Sequence, residues 1–103
     1  YIKDLLNLMW FWYENQKDSG IYNAGSGEAR TFNDLALAIF TALGLEPKIS
    51  YIPTPEDIRD KYQYFTKASM KKTMEAGYQT PFHSLENAVN DYVNRYLKNE
   101  INY

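Results

Sequence analysis

Leu5, Leu6, Leu8, Met9, Trp10, Phe11, Trp12 and Tyr13 follow one another almost without interruption near the start of the chain. Residues 3–16 read as a helix, with Asp4 early, where a carboxylate suits the positive end of the helix dipole. These apolar positions cover nearly the whole circumference, and a helix that is apolar all round needs partners on several sides. A chain of 103 residues builds one small domain with a core and little else. The residues that follow can supply only some of those partners, so a further neighbour is expected, either another domain or another subunit. The run is far too short to span a bilayer, and Lys3, Asp4 and Asn7 accompany it. With no initiator Met and no charged leader, a fragment that opens inside an element is expected rather than a signal peptide.

Asp18-Ser19-Gly20 reads as a turn, Ile21 to Ala24 as a short strand, and Thr31 as the cap of a second helix. Thr31-Phe32-Asn33-Asp34 has the pattern of a capping box with Asp in the place of Glu. Phe32, Leu35, Ala36, Ile39, Phe40 and Leu43 form a helical stripe, closed by Gly44 and Pro47. Lys48-Ile49-Ser50-Tyr51-Ile52 alternates and reads as a second strand. Two strands joined through a helix make a βαβ unit, for which parallel pairing and a right-handed crossover are expected. Pro55 suits the opening of a short helix, Thr66 caps a third one running to about Met74 and stopped by Gly77. Ser84 caps the last helix, with Leu85, Ala88, Val89, Tyr92, Val93, Tyr96 and Leu97 in register and Arg95 and Lys98 near its end. Residues 99–103 are expected to fray. The fold class on this reading is α/β, a small mixed domain with a βαβ unit and about four to five helices over residues 1–103.

Net charge is −2, so nothing in the overall charge favours nucleic acid or an anionic membrane. Without cysteine there is neither a disulfide framework nor a thiolate zinc site, and His83 is the one histidine. No nucleophile, base and orienting group occur together, and no metal site is expected. Gly25-Ser26-Gly27 before a helix invites a dinucleotide fingerprint, but Arg30 stands where the third glycine belongs. A glycine turn that admits positive φ is the simpler reading. Glu56, Asp57 and Asp60 read as a solvated face, Met70 and Met74 as core fill, and His83 as an exposed loop residue. Trp10 and Trp12 read as packing or interface. Tyr62, Gln63 and Tyr64, flanked by Arg59, Lys61 and Lys67, are harder to explain as core alone. Aromatics with polar tips beside cations can stack on a base and hold phosphates, or cover a sheet edge.

Several motifs run together in order. Tyr1-Ile2-Lys3-Asp4 is similar to the Tyr-Val-x-Asp that opens the helix after a Rossmann portion. Gly20-Ile21-Tyr22-Asn23-Ala24-Gly25-Ser26-Gly27 resembles Gly-x-Phe/Tyr-Asn-x-Gly-Thr-Gly, and Arg30-Thr31-Phe32 resembles Arg/Glu-Ser-Phe. Lys61-Tyr62-Gln63-Tyr64-Phe65-Thr66 resembles Arg/Lys-Tyr-Gln-x-Phe-Thr, and Ala76-Gly77-Tyr78 with Pro81-Phe82 resembles Ala-Gly-Tyr-x-x-Pro-Phe. The chain thus resembles the C-terminal portion of the ADP-L-glycero-D-manno-heptose 6-epimerases, nucleotide-sugar epimerases of the extended short-chain dehydrogenase/reductase family. Ser26 departs from Thr, and Glu28 stands where a basic residue is common.

The resemblance implies a cytoplasmic, NADP-dependent isomerase of lipopolysaccharide core synthesis, which oxidises the heptose C6 transiently and returns hydride to the other face. Its cofactor loop and catalytic Tyr and Lys would lie in an N-terminal Rossmann portion, so no catalytic, cofactor-binding or metal residue is assigned within residues 1–103. Tyr62 is similar to a substrate-binding tyrosine of the family. The partners implied are an ADP-sugar, that Rossmann portion and further copies of the enzyme, with neither nucleic acid nor membrane, and the isolated chain would be inactive. Alternatives are the substrate part of another nucleotide-sugar epimerase or dehydratase, and a non-enzymatic α/β interaction domain docking through Trp10, Phe11 and Trp12.

Overall fold

The computed structural model describes residues 1–16, 18–60 and 65–99. The described residues form five α-helices: α1 (Ile2–Glu14), α2 (Phe32–Leu43), α3 (Glu56–Arg59), α4 (Lys71–Glu75) and α5 (Leu85–Asp91). The last continues as a π-helical turn over Tyr92–Leu97.

Local chemistry fixes the two best-defined helix starts. At α2 the Thr31 hydroxyl accepts the Asp34 N–H at 3.0 Å, and the Asp34 carboxylate accepts the Thr31 N–H at 3.0 Å, closing the expected capping box. Gly44 ends the helix with φ 70°, and Leu45 N–H reaches the Phe40 carbonyl at 2.9 Å. At α5 the Ser84 hydroxyl accepts the Asn87 N–H at 3.1 Å. Beyond Asp91 the hydrogen bonds lengthen to i→i−5, with Lys98 N–H on the Val93 carbonyl at 2.8 Å. Val93 is buried there, and the Asn94 amide donates to the Ala42 carbonyl at 2.8 Å, satisfying an orphan acceptor at the end of α2.

The buried side of α1 carries Asp4 and Leu8, and Phe11 packs on Tyr78 with ring centroids 5.2 Å apart. Trp12 stacks on Tyr22 at 4.5 Å. Asp4 is 4% exposed and accepts both the His83 backbone N–H at 3.0 Å and a contact from its ring Nδ1 at 2.6 Å. Tyr1 and Lys3 bond the Asp91 carboxylate, so the start of α1 is tied to α5 as well. Asp4 is therefore more than a complement to a helix dipole, and His83, an exposed loop residue as expected, is its partner.

The α/β expectation does not hold, because the described residues contain no strand and the fold is helical. Strands exist only as ladders, each N–H and carbonyl paired across to another backbone. In residues 21–24 two carbonyls go to side chains instead: Ile21 to the Lys72 ammonium at 2.9 Å, Asn23 to the Thr73 hydroxyl at 2.8 Å. Residues 48–52 alternate as a strand should, yet Tyr51 and Ile52 are 77% and 85% exposed. No described backbone pairs with that segment. The βαβ unit fails for want of a ladder.

The third helix begins later than expected, at Lys71 rather than after Thr66. Residues 67–70 instead lie along the glycine turn, where the Asn23 amide takes the Ser69 carbonyl at 3.1 Å. The last helix is shorter in its α-form because of the π turn.

A folded monomer of 12.1 kDa has an accessible surface of about 6,000 Å². This chain has 8507 Å². Its radius of gyration is 16.8 Å where about 13 Å is usual for the length. The molecule is a slab 20 Å thick and 47 by 39 Å across.

Two outcomes are expected. Thr31→Ala removes the α2 cap and lowers stability by about 1 kcal/mol, seen as a lower thermal midpoint. Asp34, Glu86 and Asp91 are held below the ordinary carboxylate range: Asp34 first by Thr31, Glu86 by the Arg30 guanidinium, Asp91 by the Tyr1 hydroxyl and then Lys3. Their contribution is fully present above the unfolded carboxylate values and is lost as pH falls through the lower folded ones. Thermal midpoints should thus hold steady from neutrality to about pH 5 and fall below about pH 4, less steeply in Glu86→Gln.

Candidate functional site

The glycine turn and the segment leading into α4 enclose an open cleft of about 700 Å³. Ser26, Gly27 and Glu28 form one wall; Lys67, Ser69, Met70, Lys71 and Met74 form most of the other. Two glycines shape it for different reasons. Gly27 has φ 78°, the left-handed region that glycine occupies without strain. Gly25 makes room: a Cβ there would lie 2.9 Å from the Ala68 Cβ. Behind this wall, Thr73 is fully buried and bonds Asn23, and the Lys72 ammonium sits 4.4 Å from the Tyr22 ring centroid.

Three donors here close on the chain's own oxygens. Ser26 Oγ accepts the Glu28 N–H at 3.2 Å, the Thr31 hydroxyl accepts the Asp34 N–H, and the Asp34 carboxylate accepts the N–H of the capping Thr31. Arg30, in the place of a third glycine, binds the Glu86 carboxylate through both terminal nitrogens, one at 3.1 Å. It reaches Asp34 at 3.3 Å through Nε. Glu86, then Asp34, raise the guanidinium pKa. Arg30 thus bridges α2 to α5 rather than serving a ligand. A dinucleotide phosphate would meet Asp34 at this helix start, so the fingerprint reading fails on charge as well as on sequence.

Tyr62, with Lys61, Gln63 and Tyr64, lies outside the described residues. The described chain resumes at Phe65, which is exposed, and enters the cleft wall two residues later at Lys67. Met70 and Met74 line the cleft, and Met74 is exposed, which corrects their reading as core fill. Glu56, Asp57 and Asp60 stand on the exposed face of α3, a solvated face as expected. Among the described residues no group of three or more His, Cys, Asp or Glu side chains could hold a metal ion. The Asp4–His83 pair went unread because 79 residues separate its partners and no local pattern joins them.

No family model matches the chain. Curated proteins do. The protein named ADP-L-glycero-D-manno-heptose-6-epimerase from Nitratidesulfovibrio vulgaris strain Hildenborough is 47% identical over 97 residues, 94% of this chain and 30% of that protein. Its counterpart in strain DP4 is 46% identical over the same extent. The one from Fusobacterium nucleatum subsp. nucleatum is 43% identical over 109 aligned positions, all of this chain and 33% of that protein. The chain matches a C-terminal portion of ADP-L-glycero-D-manno-heptose-6-epimerase. It spans about a third of the length of these relatives. Among the described residues no helix is long and apolar enough to cross a membrane.

The close approach at Gly25 can be checked. Gly25→Ala drives its new methyl into Ala68, and separating the two walls costs about 1–3 kcal/mol. Adding Ala68→Gly should recover part of that loss in the thermal midpoint, whereas two independent sites would give additive losses.

Proposed function

We propose that this chain is the substrate-binding part of an ADP-heptose 6-epimerase that interconverts ADP-D-glycero- and ADP-L-glycero-D-manno-heptose for lipopolysaccharide core synthesis. The observation that carries this is 43–47% identity over nearly the whole chain to proteins of that name. Tyr62 holds the ADP-sugar, and the cleft whose wall begins at Lys67, five residues along the chain, receives part of the same ligand. Lys67 and Lys71 offer point charges to a diphosphate, while Glu28 and Glu75 line the same cleft and keep it from being a general anion site.

The enzyme reading calls for NADP; Arg30 in the place of a third glycine, bonded to Glu86 and Asp34, supports assigning its site to another part of the parent. On this reading cofactor, catalytic Tyr and catalytic Lys belong to the portion of such a protein outside this chain, and no chemical step is assigned to residues 1–103. On this reading the isolated chain is inactive, the parent is cytoplasmic, and it works as a homo-oligomer without metal.

The test uses the intact parent protein. Tyr62→Phe should raise KM for ADP-heptose or lower turnover, reducing kcat/KM about tenfold or more, in line with one lost hydrogen bond to a charged ligand. An unchanged kcat/KM removes Tyr62 from the site. Tighter binding of a UDP- or dTDP-sugar than of an ADP-sugar would move the protein to another nucleotide-sugar enzyme. Epimerisation by the 103-residue chain with added NADP would overturn the placement of catalysis elsewhere.

A further inference from the structure

Helix α1 divides into three sectors around its axis, at 100° per residue. Asp4, Leu8, Phe11 and Trp12 face the chain's own residues. Lys3, Asn7 and Glu14 make a narrow polar edge. Ile2, Leu5, Leu6, Met9, Trp10 and Tyr13 make the third sector, at i, i+3, i+4, i+7, i+8 and i+11. These six side chains are 40–71% exposed and carry no charge. A surface helix shows one apolar stripe; this one shows two, which is the pattern of a helix covered on both sides.

The size of the uncovered surface says what kind of cover is needed. The chain exposes about 2,500 Å² more than a folded monomer of its mass. One partner's share of a standard interface is about 800 Å², roughly a third of that excess. An excess this large in a slab 20 Å thick is what a core cut open would leave, and a modest dimer contact does not account for it. The relatives carry twice as much additional polypeptide as the portion this chain matches.

We propose that the Ile2–Leu5–Leu6–Met9–Trp10–Tyr13 stripe is the docking face for the remaining portion of the parent polypeptide, which covers it with an uncharged apolar surface and makes α1 a buried helix. The inference rests on the reading of this chain as part of such a protein.

Hydroxyl-radical footprinting tests it, applied to the 103-residue chain and to a chimera in which it replaces the matched segment of the Nitratidesulfovibrio vulgaris Hildenborough epimerase. Met9 and Trp10 should be oxidised at least tenfold more slowly in the chimera. Leu6→Glu in the chimera should restore their oxidation, and Asn7→Glu, on the polar edge, should not. Equal oxidation in chain and chimera overturns the proposal, as does a chimera that stays unfolded where the unaltered relative folds. A 103-residue chain that dimerises by light scattering with Met9 and Trp10 already protected assigns the stripe to a second copy instead. Footprints do not read turnover: a protected stripe in a chimera without epimerase activity leaves the docking face standing and removes the functional reading, and an active chimera with an exposed stripe does the reverse.

Discussion

One buried carboxylate joins the two ends of this molecule. Asp4 sits on the first turn of α1, almost out of solvent, and takes both the backbone N–H and the ring nitrogen of His83. Burying a carboxylate is costly unless hydrogen bonds compensate, and here two converge on it from one residue. That pairing sets α1 against the segment leading into α5, with Tyr1 and Lys3 on Asp91 completing the attachment. Leu8, Phe11 and Tyr78 fill the space behind it, and burial, then the Asp4 charge, raise the Tyr78 phenol pKa. Arg30 performs a parallel task farther along, bridging α2 to α5 through Glu86. The small core depends on charged side chains that meet across long stretches of sequence.

That dependence follows from how little apolar surface the chain buries by itself. Leu8, Ala38, Tyr78 and Val93 are the buried hydrophobic residues, while Trp10, Met9, Phe32 and Ile52 stand in solvent. A slab this open leaves much of its apolar surface uncovered. The same shortage of neighbours explains why residues 21–24 and 48–52 form no sheet. Their sequences suit a ladder, but side chains such as Lys72 and Thr73 take the carbonyls of the first segment, and no described backbone reaches the second.

The site carries the same lesson. Two glycines ahead of a helix look like a phosphate cradle, yet Ser26, Asp34 and Thr31 take the N–H groups of Glu28, Thr31 and Asp34. What remains is a cleft shaped by Gly25 passing Ala68 and lined by two lysines and two glutamates.

Short-range chemistry was legible from residue order. The Thr31–Asp34 box, the Gly44 stop and the Ser84 cap each involve groups within a few residues, so spacing alone identifies them. The over-apolar first helix was legible too, because periodicity counts faces without needing to know what covers them. Pairing across the chain was not. Whether an alternating segment becomes a strand depends on a second backbone arriving beside it, and whether Asp4 is a dipole complement or a buried anchor depends on where His83 comes to rest. Those are questions of position in space, and the tertiary structure answered them with a helical slab, an uncovered stripe on α1 and a glycine turn closed on its own side chains.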